Sequence, residues 1–185
     1  PFVGELIQVR GDEAGWTGAI ERVLGSFART LVVPEAQYLA ASEIIDAQFL
    51  GTRLVYEKVG PGAESPDGEK PGEASLLGKV ELAEGPYRGW LAQRLRQRFD
   101  YACVEHPSEF RRYSRAVTRA GQVKHSATLH EKDDRRRVDD RATWVLGFST
   151  EAKEAELERQ LVAANALLAR AIRAVDDLGL GGADR

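Results

Sequence analysis

The chain has 185 residues and a mass of 20.4 kDa, with 43% hydrophobic and 30% charged residues. That suits one domain, or one domain with an appendage, around a single core. Its 26 Lys and Arg against 29 Asp and Glu leave a net charge of −3, and Cys103 is its one cysteine. A uniformly basic nucleic-acid binder, a disulfide framework and a cysteine-cluster zinc site are therefore excluded, while a local basic patch is not.

In chain order, Val3 to Val9 reads as a strand rich in β-branched residues, broken by Gly11 and Asp12. Trp16 to Phe27 reads as a helix, because Trp16, Ile20, Val23, Leu24 and Phe27 form one apolar stripe. Thr30 to Val33 is a short buried strand, and Pro34 opens a helix to about Ala47. Tyr38, Leu39, Ile44 and Ile45 are expected on that helix's buried side. Arg53 to Val59 is a further strand. Residues 60–75 carry Gly, Pro and acidic residues with no large apolar side chain, so a mobile, disordered loop is expected.

Leu76 to Leu82 reads as a strand. Pro86 to Phe99 is a helix with Tyr87, Trp90, Leu91 and Leu95 on one side and arginines on the other. Tyr101 to Val104 is a short strand, and Ser108 caps a brief basic helix through Tyr113. Ala116–Thr118 and Gln122–Lys124 flank a tight turn at Gly121. Residues 125–140 read as polar and irregular, and Thr143 to Phe148 as a last strand. Ser149 or Thr150 then caps a long helix. Leu157, Leu161, Ala164, Leu168, Ala171, Val175 and Leu178 recur with the 4, 3 alternation of a heptad seam, and Gly179 ends the run. Spacing leaves two readings: a terminal helix on its own core, or one arm of a coiled coil. The expected division is a globular domain over 1–148, a helix over 149–178 and a disordered tail over 179–185.

Charge is unevenly spread. Arg88 to Arg141 holds fourteen basic and eight acidic residues, so this stretch is +6 and the remainder −9. Arg111, Arg112, Arg115, Arg119, Lys124, Lys132, Arg135, Arg136, Arg137 and Arg141 are the candidate DNA-binding residues, since cationic side chains neutralise phosphates and release counterions whatever the sequence. The alternative is a solvated face in which they pair with Asp133, Asp134, Asp139 and Asp140. His125, His130, Glu131, Asp133 and Asp134 are the one metal-like cluster, but the interleaved Lys132 and Arg135–Arg137 favour a salt-bridged segment, and no metal site is assigned. Cys103 sits in an apolar run and reads as a core residue. The nearest approach to a P-loop, Gly72 to Val80, has one residue too many and Val80 where a hydroxyl belongs. No nucleophile elbow occurs. No apolar run approaches the length of a membrane span.

Several blocks resemble one family. Pro1-Phe2-Val3-Gly4-Glu5-Leu6-Ile7, Trp16 to Leu24 and Leu31-Val32-Val33-Pro34 are similar to the hinge region of MukB/MksB-like SMC ATPases. These are the condensin-like proteins also called EptC, or JetC in Wadjet plasmid-defence systems. Thr118-Arg119-Ala120-Gly121-Gln122-Val123-Lys124-His125 carries the strongest resemblance, with Glu131 to Arg135, Asp140-Arg141 and Val145-Leu146-Gly147-Phe148. The resemblance covers roughly residues 1–150 and matches nothing in the 60–75 loop.

The resemblance implies an α/β (α+β) fold, a compact SMC-type hinge with a mixed sheet flanked by helices, followed by a coiled-coil arm helix. It implies a piece of a longer polypeptide, which agrees with the absence of methionine. It implies a homodimer formed through the hinge, in a cytoplasmic, nucleoid-associated protein of chromosome organisation or plasmid-DNA defence. Sequence-independent binding of double- or single-stranded DNA is expected alongside. This piece is expected to be no enzyme and to hold no cofactor, because ATP and Mg2+ belong to a head domain elsewhere in the polypeptide. Kleisin, winged-helix and nuclease subunits are expected to contact other parts. Ala120, Gly121, Gln122 and Val123 are the expected interface, on the argument that an exposed strand edge can continue a sheet across a dimer. Two other classes stand beside this reading: a metal-dependent nuclease using His125, His130, Asp133 and Asp134, and a monomeric nucleic-acid adaptor.

Overall fold

The computed structural model describes residues 1–60, 70–148 and 151–180, and in the last helix the side chains of 158, 159 and 161–173 only. The chain divides into two compact units, Pro1–Phe148 and Ser149–Arg185. The first is a mixed α/β body of three small sheets and three α-helices.

Strand β1 (Ile7–Val9) pairs antiparallel with β4 (Val80–Leu82). The expected longer strand from Val3 is instead a 3-10 turn over Val3–Leu6, with Val3 and Gly4 buried. Gly4 is at its closest packing there: a Cβ would lie 2.6 Å from the Val145 carbonyl oxygen. Helix α1 (Thr17–Ala28) buries Ala19, Ile20, Leu24, Phe27 and Ala28, most of the stripe that its spacing predicts. It leads into β2 (Thr30–Pro34), which lies parallel to β3 (Val55–Val59) with Thr30 opposite Val55. A parallel pair needs a crossover, and α2 (Tyr38–Asp46) lies within it.

Helix α2 departs from expectation. None of its residues is buried; Leu39 and Ile44 face solvent, and Tyr38 and Ile45 are half-buried. It touches β3 through Tyr38 and Tyr56, whose ring centroids are 6.2 Å apart.

The third sheet runs β5 (Ala102–Val104), β6 (Ala116–Thr118), β7 (Gln122–Lys124) and β8 (His130–Lys132). The first pair is parallel, the other two antiparallel. Strand β8 falls where an irregular segment is expected, since His-Glu-Lys carries no apolar alternation; all three residues are exposed. Helix α3 (Arg88–Phe99) buries Trp90, Leu91 and Leu95. The core joins these to Val3, Ile7, Ile20, Leu24, Leu76 and Val117. Burial of each such aliphatic side chain contributes about 1.5–3 kcal/mol relative to exposure.

Residues 61–69 of the expected loop lie outside the described residues, but its end is ordered. Ser75 is buried, bridges to Ala102, and its hydroxyl donates to Asp100 at 2.6 Å. The Ala74 carbonyl accepts from Cys103 N, which covers the outer edge of β5. Thr143 to Phe148 is not a strand: Thr143 closes the 3-10 turn Arg141–Thr143, and the chain then runs as a strap over α1. The buried Glu21 carboxylate accepts from Val145 N and Leu146 N, both at 2.7 Å. Gly18 admits the segment before the strap to the same helix, for a Cβ there would stand 2.0 Å from the Val138 carbonyl oxygen.

Helix α4 spans Glu151–Leu180 and passes through Gly179. The capping residues Ser149 and Thr150, and residues 181–185 of the expected tail, lie outside the described residues. Of the seam, Leu161, Ala164, Leu168 and Ala171 are all exposed, as are Val162, Leu167 and Ile172. No helix of the described residues is long and apolar enough to cross a membrane.

Candidate functional site

The expected self-association residues lie at the tip and along the third sheet. Gly121 holds φ +81°, the left-handed geometry that its turn requires. Ala120 is exposed, Gln122 half-buried, and Val123 buried in the core. Strand β7 has no free edge, because β6 occupies one side and β8 the other. The edge argument for residues 120–123 therefore fails on topology: the sequence pattern showed a hairpin, but not the polar strand beyond it.

Two other edges fit that argument better. Strand β8 ends its sheet, with three polar, exposed residues. Strand β3 has β2 on one side and no strand on the other among the described residues. Beyond β2 the sheet is closed by Pro1 and Phe2, through Val32 N to the Pro1 carbonyl and a bridge from Phe2 to Leu31. The open β3 edge follows the stretch 39–50, where large apolar side chains are uncovered. Phe49 is 100% exposed, Leu39 74% and Ile44 59%, with Leu50 also exposed.

The ten basic residues separate into three groups. Lys124 is withdrawn from any surface role: it is buried, and its ammonium donates to the carbonyls of Phe110 and Tyr113 at 2.7 and 2.8 Å. Six others are committed to neighbours. Arg115 donates to the Arg98 and Gln97 carbonyls and lies over the Tyr101 ring. Arg119 pairs with Glu105 and stacks 4.3 Å from the Trp16 ring centroid. Lys132 pairs with Asp134, Arg135 with Asp133 and Arg137 with Asp139. The Arg135 side-chain hydrogen bond, then its backbone N–H, hold the Asp133 carboxyl well below the usual carboxylate range. Arg141 lies over Trp144. That leaves Arg111 and Arg112, at the end of the 3-10 turn Pro107–Arg112, and Arg136. All three are exposed and make no side-chain ion pair among the described residues.

The histidine and carboxylate cluster is dispersed into structural pairs. His125 bonds the Tyr101 hydroxyl through Nδ1 and Glu131 through Nε2, each at 2.9 Å. His130 stacks on Phe110. Among the described residues no group of three His, Cys, Asp or Glu side chains could hold a metal ion. Cys103 is buried, and burial pushes its thiol up to about 12.

Arg22 and Arg29, which the sequence does not single out, line an open cleft with Arg135–Arg137, bounded by α1, the Gly121 turn and the strap. No local pattern marks them, since α1 is kinked at Gly25 between the two and ends before Arg29.

No protein-family model matches the sequence, and a comparison with curated proteins returns no relative. Solved structures do match in fold. The Pyrococcus furiosus Smc hinge domain with an extended coiled coil is 18% identical, with a TM-score of 0.50 over 97% of this chain and 63% of that one. An asymmetric dimer of the Geobacillus stearothermophilus SMC hinge domain is 19% identical, with a TM-score of 0.51 over 95% of this chain and 71% of that one. The Pyrococcus furiosus SMC protein hinge domain is 20% identical, with a TM-score of 0.52 over 76% of this chain and 73% of that one. The chain thus has the mixed α/β fold of SMC hinge domains. It spans just under two thirds of the first of these structures.

Proposed function

We propose that this chain is the self-association hinge of a bacterial SMC-like ATPase, of the MukB/MksB-like branch, working mechanically rather than catalytically. The observation that carries the reading is the uncovered apolar stretch Leu39–Leu50, which leads in sequence into the open-edged strand β3. Large apolar side chains grouped on a surface mark interaction sites, and an unpaired strand edge offers backbone bonds to a second chain. A second copy is the occupant, since a two-fold dimer is the commonest closed assembly. The hinge-type fold supports this, as one neighbour of that fold was solved as a dimer.

In this reading α4 is the returning arm, and its exposed seam at Leu161, Ala164, Leu168 and Ala171 is covered by a helix of the same polypeptide. ATP and Mg2+ act at a distant head domain. The role is chromosome organisation or plasmid-DNA defence in the cytoplasm, in contact with the nucleoid. Sequence-independent DNA binding is the second part of the proposal, supported by the unpaired Arg111 and Arg112.

The test is the solution mass of the 185-residue chain by light scattering across a dilution series. A mass twice 20.4 kDa that falls only on strong dilution is expected. A strict monomer at every concentration would overturn the reading for this chain.

A further inference from the structure

We propose that the cleft between α1 and residues 131–144 is an oxyanion site, which takes a phosphate group on Arg22, Arg29 and Arg136. It uses none of the residues of the self-association surface, nor Arg111 and Arg112.

The cleft has a volume of about 500 Å³, room for a phosphate and the group that carries it. Its acids are already engaged. Glu21 accepts two backbone N–H groups of the strap, Glu131 bonds His125, and Asp133 holds Arg135. Arg137 also lines the cleft but is paired with Asp139. Arg22, Arg29 and Arg136 have no carboxylate within ion-pair distance among the described residues. Three guanidinium groups therefore line an open cleft with no direct ion-pair partner among the described residues.

Arg22 carries the argument furthest. One of its terminal nitrogens, Nη2, donates to the Arg136 carbonyl. The other, Nη1, is buried with no hydrogen-bond partner, the one such side-chain atom among the described residues. A buried donor on a charged group costs more than a neutral one when it is left unmade, so an acceptor is called for at that place. The arginine is held there by design of the backbone. A Cβ on Gly121 would stand 2.9 Å from Arg22 Cδ, so the turn must be glycine for the side chain to pass. Arg29 faces the same cleft, with two of its donors on the Gly25 and Thr143 carbonyls at 3.2 Å and the rest unspent. Guanidinium forks match the oxygens of phosphate in pairs, and a phosphate monoester brings nearly two negative charges to three positive ones.

The ligand chemistry is a phosphate monoester or free phosphate, and calorimetry at fixed ionic strength separates the sources. Inorganic phosphate, with chloride as the reference, is titrated into the full 185-residue chain. A short thymidine oligonucleotide, with and without a 5′-phosphate, forms the second arm. Saturable binding of phosphate is expected, weakened about ten-fold or more in Arg22→Gln. Arg136→Gln gives the same loss without touching the backbone carbonyl that Arg22 uses, so it serves if Arg22→Gln fails to fold. Tighter binding of the 5′-phosphorylated oligonucleotide assigns the site to nucleic-acid ends; equal oligonucleotide affinities with phosphate binding retained assign it to free phosphate. Absence of saturable phosphate binding, or binding unchanged in Arg136→Gln, overturns the proposal. Phosphate binding that survives Arg111→Glu with Arg112→Glu separates this site from the exposed DNA surface.

Discussion

Replacing Phe49 and Leu39 by serine separates self-association from folding. Both side chains are exposed in the single chain, Phe49 completely and Leu39 by 74%. Their loss removes no core contact, so the stability of the isolated chain changes by no more than about 0.5 kcal/mol. Burial in a dimer is another matter. A phenylalanine brings about 150–250 Å² to an interface, which at about 25 cal/mol per Å² is worth about 4–6 kcal/mol if all of it is covered. Part of that is offset by side-chain ordering on association, and truncation of a buried interface aromatic typically costs about 2–3 kcal/mol. A two-fold dimer loses the ring from both copies, about 4–6 kcal/mol in all, so Phe49→Ser alone should weaken the dimer roughly a thousand- to twenty-thousand-fold.

Sedimentation equilibrium over a dilution series reads that change directly, and thermal melting at monomer concentrations reads the stability. The expected pair of results is a large rise in dissociation constant with a melting temperature unmoved in the dilute chain. The loss should also hold at high salt, because the contact is apolar and screening acts on charges. An unchanged dissociation constant in the double variant would refute the assignment and move attention to the β8 edge.

Glu21→Ala leaves Val145 N and Leu146 N without their acceptor and should cost about 3–5 kcal/mol, read as a melting temperature lower by roughly 10 °C. A shift under 2 °C would mean that the strap is held otherwise. Cys103 ionises at about 12 rather than near 9.0, so at pH 8 it carries about a thousandth of the thiolate of a free cysteine, and native alkylation should be slower in that proportion. The folded chain holds this proton between pH 9 and 12 while the unfolded chain loses it, so the associated stability is intact below pH 9 and falls as pH rises through that window; fast labelling of the native chain at pH 8 would contradict the burial. Arg111→Glu with Arg112→Glu should weaken DNA binding and lower the slope of log affinity against log salt by about 2, with the dimer unchanged; an unaltered slope would remove these residues from the DNA surface.

What the sequence makes legible follows local pattern. The stripe on α1, the buried side of α3 and the turn at Gly121 are visible because each rests on spacing or on one permissive residue. What it hides depends on partners far along the chain. Leu39 and Ile44 sit in an ordinary amphipathic pattern, and nothing local says that the expected core face of α2 has no core to meet. Strand β8 is invisible because His130, Glu131 and Lys132 pair through backbone while all three side chains face water. The basic cluster looks uniform in sequence, yet Lys124 is buried on two carbonyls and Arg135 and Arg137 are neutralised two residues away. Arg22 and Arg29 show no cluster at all, because the strap that completes their cleft lies more than a hundred residues later.

That strap also connects the surfaces energetically. It is tied to α1 by Glu21 through two backbone amides and to Arg29, just past that helix, through the Thr143 carbonyl, while Arg22 holds the Arg136 carbonyl of the segment before it. The same two arginines line the cleft, so an anion bound there meets residues that also hold the neighbouring chain. Arg22 Nη1 has no partner while Nη2 keeps the Arg136 carbonyl, so an acceptor that reaches Nη1 need not break that bond, and binding should hold this segment rather than release it. Among the described residues, the stretch 39–50 makes no hydrogen bond or ion pair with this group, so substitutions at Phe49 and at Glu21 should add in their effects on stability. A departure from additivity in the double variant would show that the two regions are coupled.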